Sequence, residues 1–218
     1  MTNVEKFNEQ TIGEEIGNAV THGVGAVFSI LGTAFLIVWS VFVSNVWGVV
    51  SSCIFGGSLI ILYTMSTLYH SLTNIKAKKV FQVFDHCSIF ILILGTYTPF
   101  CLVQLRGFIG WALWGFNAVL TVLGVVFNSI SVKKWHKVSL IVYLLMGWSI
   151  VMAIKPAMEV ITLPAFIFLL AGGIFYTVGV IFYKAKSPRF MHMIWHLLVL
   201  LGSICHYFWV LFYVLPIR

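Results

Sequence analysis

Between Glu15 and Lys76 the chain runs 60 residues without one Asp, Glu, Lys or Arg. A helix needs about 20 apolar residues to cross a bilayer, so this run holds two crossings, with "VSNVWG" (43–48) as the turn between them. Further uncharged runs cover 87–105, 107–132, 138–154, 160–183 and 190–217, each the length of one crossing. Only 9% of the residues are charged and 61% are hydrophobic; soluble domains carry about 25% charge. Segments such as "IFILILGTYTPF" are apolar on all sides and lack the alternation of barrel strands. The expected fold is an all-α integral membrane bundle of seven transmembrane helices near 19–42, 46–72, 81–103, 107–128, 134–154, 162–184 and 189–215. A cytoplasmic segment over 1–18 precedes a single transmembrane domain over 19–215.

Basic residues set the expected orientation. Ten of the thirteen (Lys6, Lys76, Lys78, Lys79, Lys133, Lys134, Lys137, Lys184, Lys186 and Arg189) fall on one side. Arg106, Lys155 and Arg218 fall on the other. Positive charge stays inside, which predicts a cytoplasmic N-terminus and an outer C-terminus. The net charge of +7 is then a topology signal answered by anionic headgroups, with no nucleic acid implied. The first residues show no basic n-region or small-residue cleavage site, so no removable signal is read. Cys53, Cys87, Cys101 and Cys205 fall in the spans and read as small apolar residues.

Ionisable groups within a span are costly and point to function. His70 ends the second helix in "STLYHSL", one turn after Ser66, and Asp85 and His86 open the third in "VFDHCS". His192 and His196 share one face of the seventh, in "MHMIWH". That helix is expected to start with Ser187 as N-cap and Pro188 at its first position. Three helices thus bring polar groups to one layer. Packing histidines are the plain alternative. As ligands, three imidazoles and a water complete the open tetrahedron of catalytic zinc, and Asp85 would engage the water as base or orienter. Ser66 either meets a substrate oxygen or bonds back to its own helix.

The other polar residues carry less. His206 lies ten residues beyond His196, about 15 Å deeper. His86 points away from Asp85 and serves the outer ring of the site or helix packing; His22 packs or lines a cavity; His136 faces water in a basic loop. Glu14 and Glu15 suit a helix N-terminus. Gly56, Gly57, Gly172 and Gly173 permit close helix approach, and Pro99 kinks the third helix.

"EEIGNAVTHGVGA", "STLYHSL", "FDHCSIFILILGTYTPF", "YLLMGWSIV", "GGIFYTVGVIFY" and "HMIWHLLVLLGSICHYFWVL" resemble the hemolysin III family over nearly the whole chain. That family is similar to the progestin and adiponectin receptors, whose shared pattern maps here onto Ser66, His70, Asp85, His192 and His196. The resemblance implies zinc on His70, His192 and His196, with Asp85 reaching it through water, in a multi-pass protein of a bacterial cell membrane. It implies two functions. One is zinc-dependent hydrolysis of a membrane lipid amide, such as a ceramide-like substrate, by Asp85 and Ser66, with associated haemolysis. The other is a cytolysin that permeabilises membranes without hydrolysis, its zinc structural.

Overall fold

The computed structural model describes residues 10–185 and 187–217; Lys6, Lys186 and Arg218 of the charge count, and the first half of the expected 1–18 segment, lie outside them. The described chain is helical: α1 (Ile12–Val43), α2 (Val46–Ser71), α3 (Ile75–Pro99), α4 (Phe108–Gly147), α5 (Ile154–Val160), α6 (Leu163–Lys184) and α7 (Met191–Trp209). Among the described residues, six helical stretches are long and apolar enough to cross a membrane, the fourth being the continuous Phe108–Val160. The protein is a multi-pass membrane protein.

α1 starts at Ile12, ahead of the expected 19, because Thr11 and Glu14 form a capping box that satisfies the first free amides. Its buried face carries Asn18, His22, Gly25, Ser29, Thr33, Leu36 and Ser40 at spacings of three and four. Val20, Val27, Phe28, Leu31 and Phe35 are exposed. This inverts the pattern of a soluble helix. Lipid is as apolar as Leu, so small and polar residues hold membrane helices together. Of the four glycines expected at close contacts, two are there. A Cβ at Gly56 would sit 2.3 Å from Thr33 Cγ2 and one at Gly172 2.3 Å from His206 Nε2. Gly57 faces open space and Gly173 has only ordinary contact with Trp148.

The expected helices at 107–128 and 134–154 are joined without a loop. Ser131 alone leaves helical geometry (φ −167°, ψ 105°), and its Oγ accepts from Lys134 N at 3.3 Å, capping the second half of α4. The basic stretch "KKWHK" is therefore helical. The two halves of α4 fold back on each other. Asn117 donates to Ser149 Oγ at 2.9 Å and Asn128 to Ser139 Oγ at 2.8 Å, whereas a straight helix would hold residues 117 and 149 about 48 Å apart. Past Gly147 the chain tightens into a 3-10 turn, Ser149–Ala153, before α5. The Tyr97 hydroxyl bridges this break, donating to the Gly147 carbonyl at 2.8 Å and accepting from Ile150 N at 3.0 Å.

α3 passes through Pro99 and widens into a π-helical turn, Phe100–Gln104. Proline lacks the amide that would keep the ladder in register. α7 begins at Met191, not beside Ser187 and Pro188: Phe190, with φ 66°, stands at its N-cap. The Phe190 amide is taken by Glu14 Oε1 at 2.9 Å, so α1 supplies the cap that Ser187 does not.

Tyr97→Phe should strand the Gly147 carbonyl and the Ile150 amide away from water. A loss of about 1–3 kcal/mol is expected, read as an earlier thermal unfolding of the purified protein than of wild type.

Candidate metal centre

Helix ends from α1, α2 and α7 meet in one layer. α2 delivers His70 in its last turn, and α7 delivers His192 and His196 in its first two, four residues apart and so on one face. One ligand atom from each lies within 4.8 Å of the other two. The ring centroids are 5.2 Å apart for His70 and His192, 5.0 Å for His70 and His196, and 4.7 Å for His192 and His196. His70 and His196 are buried and His192 is half-buried, so the open side of the cluster is the His192 side.

Two of the rings are anchored through their second nitrogen. His70 Nδ1 is 2.7 Å from Glu15 Oε2. A carboxylate only accepts, so Nδ1–H donates and Nε2 keeps its lone pair; that Nε2 is buried and has no partner among the described residues. The other oxygen of Glu15 is 3.0 Å from Lys78 Nζ, which also sits 4.9 Å over the Tyr69 ring. His196 Nδ1 is 3.2 Å from the Asn18 carbonyl and 3.4 Å from Thr21 Oγ1. The carbonyl fixes the proton on Nδ1 and frees Nε2. Metal-binding histidines are oriented in this way, the far N–H given to a carboxylate or carbonyl. His192 is set by ring packing against Tyr183, centroid to centroid 5.6 Å. Three neutral imidazoles with two fixed tautomers can hold a metal ion.

Ser66 is buried one turn before His70, and its hydroxyl has no partner among the described residues. Its neighbours Thr67 and Ser71 bond back to carbonyls of their own helix; Ser66 does not. Asp85 stands outside the three-histidine group. Its Oδ2 is 3.7 Å from His86 Nδ1, and His86 Nε2 is 3.4 Å from the Tyr183 hydroxyl, whose ring packs on His192. His86 Nδ1–H gives its hydrogen bond to the Gln82 carbonyl at 2.9 Å, so Asp85 sits beside the His86–Tyr183 pair without being hydrogen-bonded into it. His136, expected to face water, is half-buried with Nε2 3.0 Å from the same hydroxyl.

His22 stacks on His196 with rings 3.6 Å apart and 7° from parallel. An imidazole ligates in its own ring plane, so two parallel stacked rings cannot serve one ion. His22 holds the plane of His196 and is no fourth ligand. Glu15, Asn18 and Lys78 are the residues that sequence reasoning passed over. The signal was available: Glu15, Asn18 and His22 recur at three and four residues on one face of a helix bound for lipid.

Behind the cluster lies a cavity of about 270 Å³ between α3, the second half of α4, α6 and α7. Its walls are almost wholly hydrocarbon, and Tyr183 and Trp195 close the end nearest His192.

A multi-pass helical membrane protein with a histidine cluster at one end of its bundle is the class that this architecture defines. A sequence model of the family described as "Haemolysin-III related" matches residues 10–207. The chain belongs to the hemolysin III family. It is 45% identical over 214 residues to Hemolysin-3 of Bacillus cereus, covering 97% of this chain and 98% of that one. To the Hemolysin-3 homolog of Bacillus subtilis (strain 168) it is 45% identical over 203 residues, 93% and 95% of the two chains. A more distant relative is the human monocyte to macrophage differentiation factor, 28% identical over 208 residues, 91% of this chain and 83% of that one.

Glu15→Gln removes the charge that orients His70 while keeping its shape. Divalent-ion affinity should drop about 10–100-fold, measured as metal retained after dialysis against a graded chelator. Glu14→Gln, which faces Phe190, should retain metal like wild type.

Proposed function

We propose that the protein is a zinc-dependent amidohydrolase of membrane lipids, acting on a ceramide-like amide. The observation that carries this is the convergence of His70, His192 and His196 with the far nitrogens of His70 and His196 already committed to Glu15 and Asn18. A set of three imidazoles with no fourth protein ligand among the described residues is the arrangement of catalytic rather than closed structural zinc. When bound, the ion supplies Lewis acidity, polarising a carbonyl and lowering the pKa of water.

The chain's own residues do the rest in this reading. Glu15 and Asn18 hold the ligand tautomers. Ser66, buried with an uncommitted hydroxyl, donates to an oxygen of the substrate. Asp85 takes a proton as water adds to the amide carbon. The C–N bond then breaks, the proton goes to the departing nitrogen, and a fatty acid and an amine leave. The half-buried His192 and the apolar cavity beyond Tyr183 suit a substrate whose reacting group is polar and whose tail is hydrocarbon.

The topology proposed is seven crossings, the fold-back at Ser131 making two of the stretch 108–160, with the N-terminus and the histidine layer on the cytoplasmic side. Reporter fusions after Lys79, Lys137 and Arg189 should all read cytoplasmic. An exterior signal at any one of them would reverse the layout.

The name of the Bacillus cereus relative, Hemolysin-3, speaks of lysis, which a second reading also accommodates: a cytolysin that permeabilises membranes without hydrolysis, its zinc structural. Asp85→Asn separates the two, because it keeps the shape and removes the base. Lipid amide hydrolysis by the purified protein should fall about 10²–10⁴-fold with zinc still bound, and red-cell lysis should fall with it. A fully lytic Asp85→Asn protein would hand first place to the cytolysin. No cleavage of any lipid amide by wild type would leave zinc structural.

A further inference from the structure

The apolar cavity lies along the seam between the second half of α4 and α6. Its α4 wall includes Leu140, Leu144 and Gly147, and its α6 wall Gly173, Thr177 and Val180. Each set recurs at three and four residues and so forms one stripe of its helix. Continued toward the histidine layer at the same spacing, the α4 stripe reaches Lys137 and Lys133, and the α6 stripe reaches Lys184. All three lysines are exposed. They also stand at the limits of uncharged runs: 107–132 before Lys133, 138–154 after Lys137 and 160–183 before Lys184. Lysines so placed keep their stems along hydrocarbon and their ammonium groups at headgroup level.

The two stripes are held face to face. The His136 ring stacks on that of Tyr183 at 5.5 Å and 19°, with Nε2 3.0 Å from the hydroxyl, and these are the chain neighbours of Lys137 and Lys184. Further along the seam Trp148 Nε1 donates to Thr177 Oγ1 at 3.1 Å. No carboxylate pairs with Lys133, Lys137 or Lys184 among the described residues. From 86 to 218 the chain has one acid, Glu159, past the far end of the 138–154 run. Of the acids on other helices, Glu15 is committed to His70 and Lys78, Glu14 to the Phe190 amide, and Asp85 lies beside His86. A hydrocarbon slot with cations on both sides of one end, and no anion of the chain's own, fits a ligand that is negative at its head and apolar in its tail.

We propose that this seam binds an anionic phospholipid, its phosphodiester held by Lys133, Lys137 and Lys184 and one acyl chain in the cavity. A phosphodiester offers only acceptor oxygens to ammonium donors, which have no acceptor of their own. A zwitterionic headgroup would set its own ammonium against the lysines, and a free phosphate has no chain for the cavity. The cavity of about 270 Å³ has room for part of one chain, at about 30 Å³ per water-sized group. Val151 and Ile154 line it and are exposed, so the rest of the lipid stays in the bilayer. The site stands on the cavity and the three lysines, and it needs no hydrolysis at the histidine cluster.

The test uses the full-length protein in phosphatidylcholine nanodiscs holding a trace of phosphatidylglycerol with a photoactivatable diazirine on one acyl chain, the labelled peptides being mapped by mass spectrometry. Phosphatidylcholine bearing the same diazirine is the control. At trace level labelling scales with affinity. The phosphatidylglycerol probe should label the cavity stretches 140–147 and 173–180 well above the control. Lys137→Gln and Lys184→Gln should each lower that labelling about fivefold, the worth of one lysine at an anionic surface, and the triple variant with Lys133→Gln about 100-fold. Lys155→Gln, an exposed lysine at the other end of the 138–154 run, should label like wild type. Equal labelling of the cavity stretches by the phosphatidylcholine probe overturns the proposal, as does label confined to outward residues such as Ile141 and Ile181. A loss in Lys155→Gln as large as in the triple variant overturns it too. A diazirine fatty acid that labels these stretches more strongly, with the same dependence on lysine, replaces the phospholipid and overturns it as the ligand. Cleavage of a lipid amide, or its absence, moves none of these readouts, so failure here is distinct from failure of the hydrolase reading.

Discussion

The Glu15 carboxylate is the contact on which the rest of the histidine layer depends. It lies between His70 of α2 and Lys78 of α3 and so ties three helices together at one end of the bundle. Its side chain is 13% exposed and theirs are 2% and 3%. Bringing the charges of Glu15 and Lys78 out of water costs several kcal/mol, and their attraction, with the hydrogen bond from neutral His70, offsets this only when partners are complete; losing one leaves an uncompensated charge in a poor solvent. The same carboxylate fixes the His70 tautomer. Helix association and ligand chemistry therefore rest on one side chain, and a change in either must be felt in the other.

Much of this is legible in the residues alone. The uncharged runs locate the apolar stretches of the long helices, because lipid imposes a length and a composition that few other constraints can imitate, although two of the expected spans belong to the one continuous helical stretch 108–160. The layer of His70, His192 and His196 emerges from counting residues along α2 and α7. What escapes the sequence escapes for local reasons. The turn in α4 is a single residue, Ser131, serving as cap for the second half, and no proline or glycine announces it. The start of α7 is set by Glu14, 176 residues away in sequence, and this outweighs a good local signal at Ser187 and Pro188. Glu15 looks like ordinary acid at a helix start, a role Glu14 fills one position earlier by pairing with Thr11. Its partners, His70 and Lys78, lie on other helices, where no reading of α1 alone could find them.

Polar side chains occur throughout the interior, yet most are spent on architecture. Asn117, Asn128, Ser139 and Ser149 zip the hairpin of α4, and Tyr97 repairs the backbone break beyond it. Ser29, Thr33 and Ser52 return their hydroxyls to their own helices. Buried side-chain atoms without a partner among the described residues are nonetheless spread through the bundle, the Oδ1 atoms of Asn117 and Asn128 among them. Ser66 Oγ, His70 Nε2 and both His22 nitrogens belong to the histidine layer, while hydrocarbon dominates the cavity beyond it. The layer and the cavity are two places, one polar and one apolar in character.

Tyr183 is the side chain between those two places. Its ring packs on His192 and lines the cavity, while its hydroxyl reaches His136 and His86 and through His86 the neighbourhood of Asp85. Trp195 supports the ring from the far side at 5.4 Å, and a Cβ at Gly179 would lie 2.6 Å from the Trp195 ring, so the indole cannot retreat far. The hydroxyl bonds hold Tyr183 toward the polar layer and the indole holds it against the cavity wall. In the proposed lipid-amide reading, a hydrocarbon chain passing from the cavity toward His192 would displace that ring and break its contacts with His136 and His86. On that reading one aromatic side chain couples entry of the tail to the setting of the groups beside Asp85.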